Sequence, residues 1–86
     1  MYTVIWKSFL LDRLADFYVT TSAPERERMA GGVELLNLRL ATDPLDVGES
    51  RDVGYRVVFT PLLMVTFHVN EAARRVRVTD VTRFGR

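Results

Sequence analysis

The chain has 86 residues, no cysteine and only one histidine, His68. The absence of cysteine excludes disulfide bonds, zinc–thiolate sites and cysteine nucleophiles, and it fits a reducing compartment. A single histidine without cysteine also argues against a protein-bound transition metal. We therefore expect neither a metal nor a cofactor.

Long apolar runs are absent as well. No stretch approaches the roughly 20 apolar residues that a membrane-spanning helix needs. The first residues, Met1 to Lys7, lack the basic segment followed by a long apolar segment that marks a signal peptide. A chain of 86 residues can bury one modest core, so we expect a single cytoplasmic domain over residues 1–86.

Lysine is scarce, and the charge is distributed unevenly. Lys7 is the only lysine among twelve basic residues. Residues 1–50 carry five basic and eight acidic side chains, whereas residues 51–86 carry seven arginines and three acids. The second half is therefore basic, and arginine suits carboxylate or phosphate recognition better than lysine does.

The first half predicts one strand and two helices. Residues 2–7 alternate between apolar and polar, as in a half-buried strand. A first amphipathic helix is expected from Phe9 to about Val19, capped by Ser8 and with Arg13 exposed to water. Ser22 to Glu25 forms a capping box for a second helix that begins near Pro24 and ends near Ala41 or Thr42, before Pro44.

The second helix contains Gly31 and Gly32, which either allow close packing or introduce a kink. Asp43 to Asp52 is expected to be a turn-rich connector. Three antiparallel strands follow, at Val53–Thr60, Leu63–Asn70 and Val76–Thr82. The predicted fold is α+β, a two-layer β-α-α-β-β-β domain with a helical hairpin packed on a mainly antiparallel sheet.

This order of elements resembles the RelE/ParE superfamily of small bacterial toxins, and the resemblance covers nearly the whole chain. Local features agree with it in the same order along the sequence. These features are the opening strand with Tyr2, Val4 and Trp6, the helix end from Leu40 to Pro44, Gly48, Arg56, the strand from Pro61 to Val69, and the last strand from Val76 to Val81 followed by Arg83.

The resemblance implies the toxin of a type II toxin–antitoxin system, the group that includes plasmid stabilisation proteins, with a cognate antitoxin as partner. ParE-like members inhibit DNA gyrase, whereas RelE-like members cleave mRNA on the ribosome with basic side chains and a tyrosine on the open sheet face. A degenerate, non-toxic binding domain of the same fold is a third alternative. Self-association into a homodimer and a toxin–antitoxin hetero-oligomer both stay open.

The sequence departs from the pattern that cleavage of RNA requires. In-line cleavage needs a base for the 2′-hydroxyl, cations for the phosphoryl oxygens and a donor for the leaving oxygen. The family's arginine would fall at Met64, the expected lysines are absent, and no tyrosine follows Tyr55. We therefore expect a ParE-like protein that binds its target and is not an enzyme, with a metal-independent endoribonuclease as the alternative.

No complete catalytic set is apparent, and three residues are candidates for one. His68 has an imidazole that titrates near neutral pH, and Arg56 and Arg83 are its candidate phosphate partners. A half-exposed strand histidine without a chemical role is the simpler interpretation of His68. For target or partner binding the candidates are Arg56, Arg75, Arg77 and Arg83, although alternation along the last strand also explains Arg75 and Arg77 as a solvated face.

Overall fold

The computed structural model describes residues 1–84, which form a five-stranded sheet with two helices packed on one face. The class and the two-layer order expected from the sequence are confirmed. The elements are β1 (Thr3–Trp6), α1 (Ser8–Val19), α2 (Ala23–Thr42), a 3₁₀ turn (Pro44–Asp46), β2 (Glu49–Ser50), β3 (Tyr55–Thr60), β4 (Leu63–Asn70) and β5 (Arg75–Arg83).

The strands lie in the order β1-β5-β4-β3-β2. β1 runs parallel to β5, and every other neighbouring pair is antiparallel. β4 is the central strand, and it pairs with β5 over Leu63–Asn70 and with β3 over residues 63–68. The mainly antiparallel sheet predicted from the sequence is therefore confirmed, with the opening strand at one edge and β2 at the other.

The core lies between the helices and the face of the sheet that β4 defines. Leu63, Val65, Phe67 and Val69 alternate along β4 and are buried against the helices. The apolar stripe of α2, the inward positions of β5, and Leu10 and Leu14 of α1 complete this cluster. Tyr18 of α1 packs on its rim, where burial raises the pKa of the phenol above its ordinary value.

The helix boundaries agree with the sequence signals except at the start of α1. Ser22 caps α2, because its hydroxyl accepts a hydrogen bond from the Glu25 amide at 3.4 Å and donates one to the Glu25 carboxylate at 3.3 Å. The prediction that Ser8 caps α1 is wrong. Ser8 is the first helical residue, and Lys7 occupies the cap position without a side-chain hydrogen bond.

Three details of the strands differ from the prediction. The connector contains the short strand β2, which pairs with β3 and adds a fifth strand. Val53 has φ 45° and lies outside the sheet, so β3 begins at Tyr55. The last strand runs from Arg75 to Arg83, and its register against β4 shifts between Thr66 and Phe67.

Arg13 is not simply exposed to water, as the helical pattern had predicted. Its Nη1 donates to Asp80 Oδ1 at 2.6 Å and to the Val81 carbonyl at 3.0 Å. Both acceptors lie on the part of β5 that extends beyond its pairing with β1. Arg13 therefore ties α1 to the uncovered edge of β5.

The two adjacent glycines of α2 have different surroundings. A Cβ at Gly32 would lie 2.3 Å from Thr60 Oγ1 and 2.7 Å from Pro61 Cδ, whereas a Cβ at Gly31 would meet nothing within 4 Å. α2 is one continuous helix through both residues. Close packing against the sheet therefore accounts for Gly32, and it does not account for Gly31.

We expect alanine at these two positions to have opposite effects on stability. Gly32→Ala forces atoms apart at the β3–β4 turn and should lower the free energy of unfolding by about 1–3 kcal/mol. Gly31→Ala removes a helix-destabilising residue and should raise it by up to about 1 kcal/mol. Urea unfolding followed by circular dichroism measures both, and equal effects would contradict the packing at Gly32.

Candidate functional site: the open face of the sheet

One face of the sheet is not covered by the helices and carries the side chains that could meet a partner. The strand register determines which residues lie there, because neighbouring positions in paired strands share a face. The open face comprises Thr3 and Ile5 of β1, Glu49 of β2, Tyr55, Val57 and Phe59 of β3, Met64, Thr66 and His68 of β4, and Arg75, Arg77, Asp80 and Thr82 of β5.

Arg75 and Arg77 lie where the sequence pattern predicts. Both are exposed, with the buried Val76 between them. Arg77 lies opposite His68 on β4, and Arg75 lies opposite Asn70. Neither arginine has an ion-pair partner within residues 1–84. Their charge is therefore free to act on an incoming molecule.

His68 shares the open face with Met64 and Thr66, as expected, but its ring is confined. The Tyr55 ring meets it edge-on, with the ring centroids 4.8 Å apart. A Cβ on Gly54 would lie 2.9 Å from His68 Nε2, so the ring packs directly against the Gly54 backbone. Nδ1 is buried and has no hydrogen-bond partner within the described chain. The imidazole is therefore held by packing.

Arg56 lies on the opposite face from His68. It pairs with Phe67 in the register of β3 and β4, which directs it towards the helices. Its Nε donates to the Val47 carbonyl at 2.8 Å, and its Nη2 donates to the Gly48 carbonyl at 3.1 Å. The guanidinium therefore joins the connector to β3.

Arg83 also points away from the open face. It pairs with Leu63, and its Nη1 donates to Thr21 Oγ1 at 2.9 Å, in the link between the helices. Its guanidinium carbon lies 6.0 Å from the centre of the Phe17 ring. The structure therefore does not bring together Arg56, His68 and Arg83, the three residues that the sequence suggested for catalysis.

The end of the open face near the β3–β4 turn is apolar. The rings of Phe59 and Phe84 have centroids 4.7 Å apart, and each side chain is 53% exposed. Met64 lies directly opposite Phe59. No cation takes the place of the arginine that the resemblance implied at Met64, and the next position after Arg83 is an aromatic ring.

Two features of this face were missed in the sequence. Tyr55 is not among the candidates from the sequence, although a strand that places Val58 inward also places Tyr55 on the open face, opposite His68. Phe59 was assigned no role, although the same alternation exposes it on the open face. The alternation of residues along β3 indicates that both Tyr55 and Phe59 lie on the open face.

Residues 1–84 contain neither a cluster of metal ligands nor a helix with the length and apolar character of a membrane span. No three His, Asp or Glu side chains in this part of the chain converge as a metal site would require. No helix in the same range is long and apolar enough to cross a bilayer.

No protein-family model matches the chain, and no curated protein matches it. Solved structures similar to it include the chromosomal ParDE TA system from P. aeruginosa, with a TM-score of 0.69 and 18% identity, covering 99% of this chain and 98% of that one. They also include the isolated E. coli RelE toxin, with a TM-score of 0.65 and 13% identity, covering 100% of this chain and 87% of that one. The chain therefore has the RelE/ParE fold.

The contacts of Arg56 predict a structural role that can be measured. Arg56→Ala leaves the Val47 and Gly48 carbonyls without their donor and should lower the free energy of unfolding by about 1–3 kcal/mol. Arg77→Ala, an arginine of the same sheet with no such contacts, should change it by less than about 0.5 kcal/mol. Urea unfolding of both variants tests this, and equal stability would contradict the assigned role.

Proposed function

We propose that this chain is the toxin of a type II toxin–antitoxin pair, that it acts in the cytoplasm by binding a protein target, and that a cognate antitoxin neutralises it. The observation that carries the proposal is the fold shared along the full length with a chain of the ParDE TA system and with the RelE toxin. DNA gyrase is the proposed target, because ParE-like toxins inhibit that enzyme.

The side chains of the open face favour binding over RNA cleavage. Cleavage would need several cations converging on one phosphate. Arg56 and Arg83 are instead engaged on the helix side of the sheet, and Met64 and Phe84 carry no charge. His68 holds one of its nitrogens buried and without a hydrogen-bond partner among residues 1–84. Support for a nuclease is therefore weaker than support for a surface that binds a protein.

The same face has two chemically different ends. Phe59, Met64 and Phe84 form an apolar end, and Arg75 and Arg77 form a cationic end. Arg77 and Arg75 lie opposite His68 and Asn70, four and six positions along β4 from Met64, so the two ends are about 13–20 Å apart at the rise per residue of a strand. An aromatic anchor with arginines beside it is typical of protein interfaces, and the arginines would select a partner that carries acidic groups near an apolar patch.

One observation favours a second candidate, a ribosome-dependent mRNA interferase of the RelE type. Tyr55, His68 and Arg77 are neighbours on adjacent strands of the open face. A tyrosine, an imidazole and a guanidinium are suitable for proton transfer and phosphate binding. The two candidates differ in their products inside the cell.

Expression in a bacterial host should separate them. We expect growth arrest with gyrase-dependent DNA breaks and intact mRNA, and co-expression of the polypeptide encoded beside this chain should restore growth. Arrest with ribosome-dependent mRNA cuts that His68→Ala abolishes would establish the interferase instead. Normal growth at high expression would indicate a non-toxic binding domain of the same fold.

Within the toxin hypothesis, charge reversal at the cationic end should relieve arrest. Arg75→Glu and Arg77→Glu should each weaken target binding by about tenfold or more, because they replace attraction of acidic groups by repulsion. Arg51→Glu is the matched control, since Arg51 is also charged and exposed, and its guanidinium donates hydrogen bonds only to Glu49 and Ser50 within residues 1–84. If all three variants arrest growth alike, Arg75 and Arg77 do not contact the target.

A further inference from the structure

Val53 stands at the tip of the hairpin that joins β2 to β3, in a backbone conformation that valine rarely adopts. The Tyr55 amide donates to the Asp52 carbonyl at 2.9 Å, which closes a four-residue turn around Val53 and Gly54. Both central residues have positive φ, 45° for Val53 and 83° for Gly54. Such turns favour Asn-Gly, Asp-Gly or Gly-Gly, because a branched Cβ crowds the backbone at positive φ. The backbone at Val53 is therefore strained.

The side chain of Val53 also gains nothing from the interior of the protein. It is 85% exposed and is not part of the apolar cluster between the helices and the sheet. Asparagine at this position would tolerate the positive φ and would place no apolar group in water. Strained residues concentrate at sites that bind or react. Valine at this tip therefore indicates a contact with another molecule.

The hairpin tip is held against β4, although the Val53 side chain itself lies in water. The Val69 amide of β4 donates to the Gly54 carbonyl at 3.0 Å. The His68 ring packs on the Gly54 backbone, where a Cβ would lie 2.9 Å from its Nε2. These contacts determine the position of the residue that precedes Gly54. An apolar group that is already fixed loses little freedom when a partner covers it.

The hairpin tip borders the cationic end of the open face. Tyr55 follows the turn and lies opposite His68, which in turn lies opposite Arg77. Because β4 separates β3 from β5, the tip is about 10 Å, or two strand spacings, from Arg75 and Arg77. Neither arginine forms an ion pair within residues 1–84. An apolar tip beside unpaired cations is complementary to an apolar hollow that has acidic groups at its rim.

We propose that Val53 is a contact residue for the protein target, and that it enters an apolar hollow of that target whose rim carries Asp or Glu side chains. The hollow covers Val53, and the acidic rim meets Arg75 and Arg77. The proposal rests on the proposed function, because that function supplies the target. It adds a fixed apolar contact beside the cationic end of the open face. Binding at the tip accounts for a residue that lowers the stability of the free chain.

Val53→Asn should change stability and target binding in opposite directions. Because asparagine tolerates positive φ, the folding equilibrium constant from urea unfolding should rise by about fivefold or more. Because the apolar contact is lost, binding to purified DNA gyrase should weaken by about tenfold or more, and growth arrest should be relieved. Val53→Ile keeps a branched apolar side chain and should bind gyrase and arrest growth like the unaltered chain.

Two control variants separate this role from general effects of substitution. Val19→Asn removes another exposed valine, 79% exposed at the end of α1, and should leave gyrase binding and arrest unchanged. Gly31→Ala should raise stability at a position on α2, and it should also arrest growth like the unaltered chain. Weaker arrest by Gly31→Ala would overturn the proposal, because higher stability alone would then account for the effect of Val53→Asn.

Other outcomes would overturn the proposal in distinguishable ways. Full arrest and unchanged gyrase binding by Val53→Asn would remove the tip from the target interface while the toxin hypothesis stands. A free chain that is dimeric by light scattering, and monomeric as Val53→Asn, would assign the tip to self-association. Arrest by Val53→Asn that the polypeptide encoded beside this chain no longer neutralises would assign the tip to that partner. If the unaltered chain neither arrests growth nor binds gyrase, the proposed function fails and the inference fails with it.

Discussion

The period of two residues along a strand determines what each arginine of the sheet can do. β4 is buried on one face through Leu63, Val65, Phe67 and Val69, and the pairing of β3 and β5 with it assigns every neighbouring position to the covered or the open side. Arg75 and Arg77 pair with the outward residues Asn70 and His68 of β4, so their side chains lie on the open face. Arg56 and Arg83 pair with the inward residues Phe67 and Leu63 of β4, so their side chains lie on the face that the helices cover. Composition shows only that the second half of the chain is basic, and it does not show that its arginines lie on two different faces.

Arg56 and Arg83, whose side chains point inward, donate hydrogen bonds that a hydrophobic residue could not make. The connector turns at Gly48, whose φ of +67° and close approach to the Val57 carbonyl leave no room for a side chain. Such a turn leaves carbonyl groups without partners, and Arg56 satisfies two of them. Arg83 serves the link between α1 and α2 in a similar way through Thr21. Both charges are therefore used to close the fold, and the open face keeps fewer cations than the sequence suggests.

Much of the fold was predictable because the hydrophobic period is strong in each long element. The stripe of α2, the capping box at Ser22 and the limits of β4 followed directly from residue spacing. β2 was not predictable, because two residues carry no period and this strand is defined only by its pairing with β3. The Arg13–Asp80 bridge was equally hidden, since it joins residues 67 positions apart.

The candidate site was predictable only in part, and the reason is geometric. Alternation of buried and exposed residues along β4 and β5 was sufficient to predict that Arg75, Arg77 and His68 lie on the open face. The grouping of His68 with Arg56 and Arg83 was based on charge without regard to parity, and the structure separates these residues. Tyr55 carries no charge and was not a candidate, yet alternation along β3 places it on the open face, where it pairs with His68. In a sheet this small, whether a charged residue pairs with an inward or an outward residue of β4 says more about its role than its charge does.

α2 illustrates the same principle with the helical period. One side of the helix is explained by the core, and Gly32 is explained by its contact with Thr60 and Pro61. Gly31 has no such explanation, because a Cβ there would meet nothing within 4 Å, although glycine weakens a helix. The helical period therefore accounts for the buried side of α2, whereas no contact within the described chain accounts for glycine at position 31.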